Sequence, residues 1–435
     1  MKSLIRSLLF RAGTSPIQFG LVAITTWLAT STIGPNKYSA VLLVTGLPLL
    51  LPFLDLGSNA PLISGIAKKG TRGNNLLLFS FALRKSGFSG LVLFGVGCLI
   101  SFNSRSDLLF GNSTSVFESP ELVILVFSAL FAVITFLTPS LKVLVGLGQV
   151  HLTMVLGVAT AALTCLLTFL ATELHLGVDF FALISSISAL ITVAFAFTLV
   201  LMRLDLTLRE VSSEVLNFRS KTPSSVRSNA KFMFILSIGL AAIQFSDRYV
   251  VANLLPVASL PSFVYASLIY VPLWAAISSV LITLWPHFTS LQINLEPSIV
   301  RKKVQQLWGS VVLIGVVLGV AFALAAPFVI RLVSSGLVEV NSDVIYAFSF
   351  LLVVQIAQFP IGVYLVDNAG LRFQAFFVSI AAIICIPWSS VLVSSIGASG
   401  SVLASASLIV IFQLLPNTLM FARKKAMKSR EINDK

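Results

Sequence analysis

Apolar stretches of roughly 20 residues recur from one end of this chain to the other, each long enough as a helix to cross the ~30 Å hydrocarbon layer of a membrane. No other feature limits the fold so strongly. With 57% hydrophobic and 10% charged residues among 435, and a mean hydropathy of +0.99, too few polar residues remain to cover a soluble surface. Amphipathic helices that could solubilise a greasy core are missing from the pattern.

We read about twelve spans, covering approximately 12–34, 39–66, 86–102, 120–141, 151–173, 179–202, 231–254, 259–289, 308–332, 343–366, 374–395 and 400–422. Those with inserted prolines, and the longest ones, are expected to bend or tilt. The basic residues then alternate by side. With a cytoplasmic N-terminus, all of them except Lys37, Arg105, Arg248 and Arg331 fall in cytoplasmic segments. The net charge of +13 is therefore a topology signal, with both termini cytoplasmic in an inner (plasma) membrane. The basic residues are dispersed among loops, so nucleic acid is not a partner. MKSLIRSLLFRAG is followed by an apolar stretch too long for a signal core, and is read as part of a retained first helix.

The longest polar stretch, RLDLTLREVSSEVLNFRSKTPSSVRSNA at 203–230, divides the chain. The expected organisation is a six-helix bundle over 1–202, a cytoplasmic linker over 203–230, a second six-helix bundle over 231–422 and a basic tail over 423–435. The second helix of each half is interrupted by proline: Pro48, Pro52 and Pro61 in one, Pro272 and Pro286 in the other. Duplicated halves of this kind recur in transporters, with the substrate site between them.

Enzymatic chemistry finds no seat. His151, His175 and His287 share no ligand spacing, and Cys98, Cys165 and Cys385 lie in separate apolar spans, as inert thiols do. The outer loops are short; the largest, about 103–119, has no room for a catalytic domain. No catalytic residue, metal site or cofactor is expected. A coupling H⁺ or Na⁺ is the one bound ion this reading admits.

Ionisable and amide groups inside spans are the default candidates for function. Arg11 lies at the mouth of the first helix, and Gln18 is two turns further on the same face. Asp55 and Asn59 are four apart, sharing a helical face. Asp55 can cap a helix restarting near Gly57, carry a coupling charge, or both. Gln244, Asp247 and Arg248 cluster late in the seventh span. Gln355 and Gln358 lie in the tenth and Gln413 in the twelfth. Arg248 is placed to snorkel outward or to face a cavity, and the glutamines suit interhelical bonding as well as ligand contact. Trp274 can stack on a sugar or pack in the bundle; Trp285 and Trp308 read as interface anchors.

The segment GPNKYSAVLLVTGLPLLLPFLDLGSNAPLISGIAKKG resembles the second-helix signature of Wzx-type polysaccharide repeat-unit flippases, on Gly34, Tyr38, Asp55, Gly57, Lys68 and Lys69. IQFSDRYVVANLLPVASLPSFVYAS resembles their seventh-helix segment, and LWP at 284–286 the end of their eighth. The stretch from DNAGLRFQAFFVSI to SSIGASGSVLASASLIVIF resembles their tenth to twelfth helices, with the turn from Gly397 to Gly400. The resemblance runs over nearly the whole chain. It implies an all-α polytopic membrane protein of two six-helix bundles, MATE-like, in the multidrug/oligosaccharidyl-lipid/polysaccharide exporter superfamily. The implied substrate is a polyprenyl-diphosphate-linked oligosaccharide, flipped to the outer leaflet for O-antigen, capsule or exopolysaccharide. Membrane lipids, a polysaccharide polymerase and chain-length machinery are the implied partners. The sequence departs from members with a cationic cavity: only Arg11 and Arg248 match. It also lacks the extra helices of relatives that flip lipid II. A multidrug or organic-cation antiporter of the same fold is the alternative.

Overall fold

In a computed structural model, the structure describes all residues except 1, 51–53, 55–57, 68–70, 218–229, 283, 285–287, 289–290, 292–295, 367 and 423–435. Ten helices among the described residues are long and apolar enough to cross a membrane, or eleven when one bent pair is counted as a span. The chain is a multi-pass, all-helical membrane protein, with no strand among the described residues. The shortfall from twelve lies in the second expected span. There the chain forms α2 (Pro35–Gly46), a 3₁₀ turn (Leu47–Leu50) and α3 (Asn59–Ala67). Asn59 opens α3 and does not continue a helix from Leu54. Pro61 sits in the first turn of α3, where its missing N–H breaks no helical bond. Asp55 lies outside the described residues, so the shared face expected of Asp55 and Asn59 has no described helix beneath it.

The chain divides into two compact units, Met1–Phe234 with Val333–Ser335, and Ile235–Leu332 with Gly336–Lys435. In the first unit, α1 (Lys2–Ile33) packs along α8 (Val150–Glu173), and α4 (Arg72–Phe102) along α6 (Pro120–Leu137). Glycine sets the second of these contacts. A Cβ on Gly90 would stand 2.7 Å from the Ala132 carbonyl oxygen, and one on Gly97 would strike the Ser128 side chain. Small residues let lipid-embedded helices approach to backbone contact. Between α1 and α2, Gly34 takes φ +82°, a conformation that only glycine adopts without strain. The turn sets Tyr38 into the unit, its hydroxyl 3.3 Å from Thr26 Oγ1. An apolar cluster of Leu62, Ile66, Phe79, Leu83, Val143, Leu144, Val200 and Leu204 joins α3, α4, α7 (Pro139–Gly146) and α9 (Val178–Leu204).

A short amphipathic helix, α10 (Leu208–Leu216), docks on this unit. Thr207 and Glu210 cap it reciprocally. Arg72 donates to both Glu210 oxygens, at 2.8 and 2.9 Å, and its Nε donates to the Asp205 carbonyl at 2.7 Å. Arg84 donates to the Asn217 carbonyl at 2.6 Å. The Thr207 backbone N–H and hydroxyl, then Arg72, bring the Glu210 carboxyl down from 4.5 to about 2.

In the second unit, α11 (Ala230–Phe245) and α12 (Asp247–Leu254) meet at a 40° bend. They are followed by α13 (Leu260–Leu281), α14 (Pro297–Val333), α15 (Ser342–Tyr364), α16 (Asn368–Ile396) and α17 (Ala398–Ile409). After α17 the helix widens into a π turn, Val410–Leu414, and runs on to Ala422. Gly397, at φ +71°, turns the chain between α16 and α17. Gly400 brings the two helices so close that a Cβ would collide with the Leu392 carbonyl.

Candidate functional site

The bend at Ser246 places Asp247 at the first position of α12. Its side chain is 5% exposed, and it is the one charged residue buried among those described. Within the described residues it forms no ion pair; those pairs all belong to Arg72. The neighbouring Arg248 turns elsewhere, with Nη2 donating to Ser267 Oγ on α13 at 3.4 Å.

Ser405 of α17 faces the carboxylate. Its Oγ lies 2.9 Å from both carboxylate oxygens and 2.6 Å from the Ile243 carbonyl oxygen in the last turn of α11. Ala404 and Ala406, both fully buried, let α17 come near enough for this contact. A hydroxyl carries one hydrogen, so three acceptors converge on a single donor. Ser246, at the bend, donates to Cys385 Sγ on α16 at 3.9 Å. Four helices and the bend thus converge on one acid.

A second buried pair lies nearby in the fold. Tyr270 of α13 donates to the Gln355 side-chain oxygen on α15, and its ring packs 5.0 Å from that of Phe348. Further along, Gln358 of α15 and Gln374 of α16 direct their amide oxygens toward Gly362, 3.2 and 3.4 Å from where a Cβ would stand. Gln374 Nε2 donates to the Gly362 and Leu365 carbonyls at 3.2 and 3.1 Å. Gln413 sits inside the π turn, 4% exposed, and its Nε2 has no hydrogen-bond partner among the described residues. π turns inside α-helices gather at functional positions.

Of the residues singled out from the sequence, Asp247, Arg248 and Gln355 stand in this region of the second unit. Gln244 is half-buried in the last turn of α11, and Gln358 lies one turn beyond Gln355. Trp274 meets Phe359 edge-on at 6.0 Å, as a packed indole does. In the first unit, Gln18 is half-buried and rests its amide in the notch left by Gly157 on α8. Asn59 is half-buried at the start of α3. The Arg11 side chain and Asp55 lie outside the described residues. Sequence reasoning passed over Ser405, Ser267, Tyr270 and Gln374. For Ser405 a signal existed: the small-residue run ASGSVLASAS marks a helix face built for close approach.

No protein-family model matches the chain, and no curated protein matches it. Solved structures do. The chain is similar to an inward-facing multidrug resistance MATE family transporter of the MOP superfamily, with TM-score 0.65 and 15% identity, over 96% of this chain and 99% of that one. It is similar to the lipid II flippase MurJ in an inward closed conformation, with TM-score 0.66 and 14% identity, over 95% and 87%. A MOP superfamily transporter from Pyrococcus furiosus matches with TM-score 0.55 and 15% identity, over 97% and 96%. At these identities the likeness is one of fold, and the fold is MATE-like.

Proposed function

We propose that this chain is a flippase. It carries polyprenyl-diphosphate-linked oligosaccharide repeat units from the cytoplasmic to the outer leaflet by alternating access, feeding surface polysaccharide assembly at the plasma membrane. The observation that carries the transport reading is a carboxyl and several amides buried inside lipid-spanning helices of a fold shared with transporters and a flippase. Such groups cost several kcal/mol to place in apolar surroundings, and they persist where function needs them. The substrate class rests on the order of motifs from Gly34 to Gly400. A sugar repeat unit has many hydroxyls to keep solvated during passage, which a lipid bilayer cannot do unaided.

Coupling is assigned to a proton at Asp247. Separations of 2.6 and 2.9 Å between Ser405 Oγ and its three oxygen neighbours are hydrogen-bond lengths. With the carboxyl protonated, Asp247 donates to Ser405 and Ser405 donates to Ile243, so two of the three close pairs hold a hydrogen. When the carboxyl is ionised, only one of the three does.

The test is a strain lacking the gene. Lipid-linked repeat units are expected to accumulate on the cytoplasmic leaflet, and the purified chain in vesicles is expected to move them under a proton gradient. Normal surface polysaccharide in the deletion strain would end this reading. Export of organic cations is the second reading, favoured by the buried Asp247. It requires the deletion to raise drug sensitivity and leave polysaccharide unchanged.

A further inference from the structure

Arg301, Lys302 and Lys303 form one basic run in the sequence but stand differently in the fold. Both lysines are exposed, whereas Arg301 is half-buried. Its guanidinium carbon lies 5.2 Å from the centroid of the Phe421 ring. That ring is fixed in turn: Tyr364 meets it edge-on at 5.2 Å, and Phe288 meets Tyr364 at 6.0 Å. Val300, Val304, Ile361 and Leu365 complete an apolar wall. One guanidinium nitrogen, Nη1, is sealed from solvent and has no hydrogen-bond partner among the described residues. No described carboxylate pairs with the side chain.

We infer that Arg301 is the seat of a phosphate from a net-negative bilayer lipid. The guanidinium lies over the Phe421 ring and Nη1 is sealed from solvent, so the remaining N–H groups of the planar fork are the ones to take phosphate oxygens. A cation that only anchors a helix end needs no such seat; Lys302 and Lys303, with their flexible stems, do that work. The electrostatics suit an anion. Arg301 lies early in α14, whose N-terminal end is the positive end of the helix, and two lysines adjoin it. The depth suits a headgroup: Arg301 lies two helical turns before the apolar stretch that begins near residue 308, on the polar side of the hydrocarbon boundary. The inference does not rest on the flippase reading and survives its failure.

The experiment measures thermal unfolding of the purified full-length chain in neutral detergent, titrated with phosphatidylglycerol or phosphatidylcholine. Phosphatidylglycerol is expected to stabilise the native chain more than phosphatidylcholine does. Its apparent affinity is expected to fall about tenfold in Arg301→Gln and less than about twofold in Lys302→Gln, which removes the same charge. Arg301→Lys keeps the charge without the planar fork and is expected to fall between them. Phe421→Leu, which removes the stacking ring, should weaken binding in the same direction. An equal loss in Lys302→Gln, or none in Arg301→Gln, overturns the site. A short-chain polyprenyl diphosphate is the third ligand; a loss confined to it overturns the assignment to a bilayer lipid. If Arg301→Gln does not fold, Arg301→Lys decides, and unchanged phosphatidylglycerol affinity there overturns the site.

Discussion

Among the described residues of the first unit, the buried polar side chains other than Tyr38 are all serines and threonines; in the second unit a carboxylate, Asp247, and three amides, Gln355, Gln413 and Asn417, join them. The difference lies in where hydrogen bonds go. Several buried hydroxyls of the first unit return their hydrogens to their own helix: Thr30 to the Thr26 carbonyl at 2.6 Å, Ser188 to Ile184 at 2.9 Å, Thr192 to Ser188 at 2.8 Å. Such groups stay satisfied wherever the helix moves. Asp247 and Gln355 depend on Ser405 and Tyr270, which belong to other helices. Their satisfaction is conditional on helix arrangement, so on the proposed function the packing around Asp247 and Gln355 is what a proton or a substrate would change.

The largest expected effect tests that asymmetry directly. Asp247→Asn keeps shape and hydrogen bonding but fixes the charge state. If one proton moves with each substrate, the variant loses the drive of one charge, about 2.3 kcal/mol per 100 mV, or about 50-fold in attainable gradient. Vesicle flipping under an imposed potential measures it, and undiminished uphill transport would remove the second unit's claim to coupling. Next come the glycine contacts, which should not distinguish the units. Gly400→Ala in one and Gly90→Ala in the other each push a Cβ into a backbone carbonyl, at about 1–3 kcal/mol of overpacking. A lower thermal midpoint is expected for both.

Gln413→Leu separates structure from function within the second unit. Removing a buried donor without a partner relieves up to about 1–3 kcal/mol, so the midpoint should hold or rise. A simultaneous loss of flipping would mark the amide as a working group. In the first unit, Gly157→Ala should displace Gln18 at about 1 kcal/mol, read as a lower midpoint with flipping retained. The smallest effect concerns α10. The Glu210 carboxyl is held down to about 2, so its contribution to docking is full above 4.5 and fades as the pH falls toward 2. Hydrogen exchange of the amides of residues 205–217 should rise across that interval, and Arg72→Gln should narrow it.

The helical, many-span character was legible because hydropathy is a summed property of long segments, tolerant of any single residue. Ten of the expected crossings stand as single apolar helices for that reason. The second span does not: its helix gives way to a 3₁₀ turn that contains Pro48 and a new helix starts at Asn59, and hydropathy says nothing about backbone continuity. Asp247 was legible as an acid in an apolar stretch. Its partner was not: serine is common in these helices, and only the folded backbone brings position 405 to position 247. Gln374 escaped notice because its contacts are with carbonyls of another helix, Gly362 and Leu365, and backbone acceptors leave no mark on sequence. Arg301 reads in the sequence as one of three equivalent cations; the ring beneath it is 120 positions away.

The π turn at Val410–Leu414 works as a register shift. It accommodates one residue more than a regular turn, so everything after it is rotated by about 100° relative to an uninterrupted helix. Phe421 meets Tyr364 and Arg301 in that rotated frame. A chain shortened by one residue between 410 and 414 would keep its composition and hydropathy, yet turn that ring away from both.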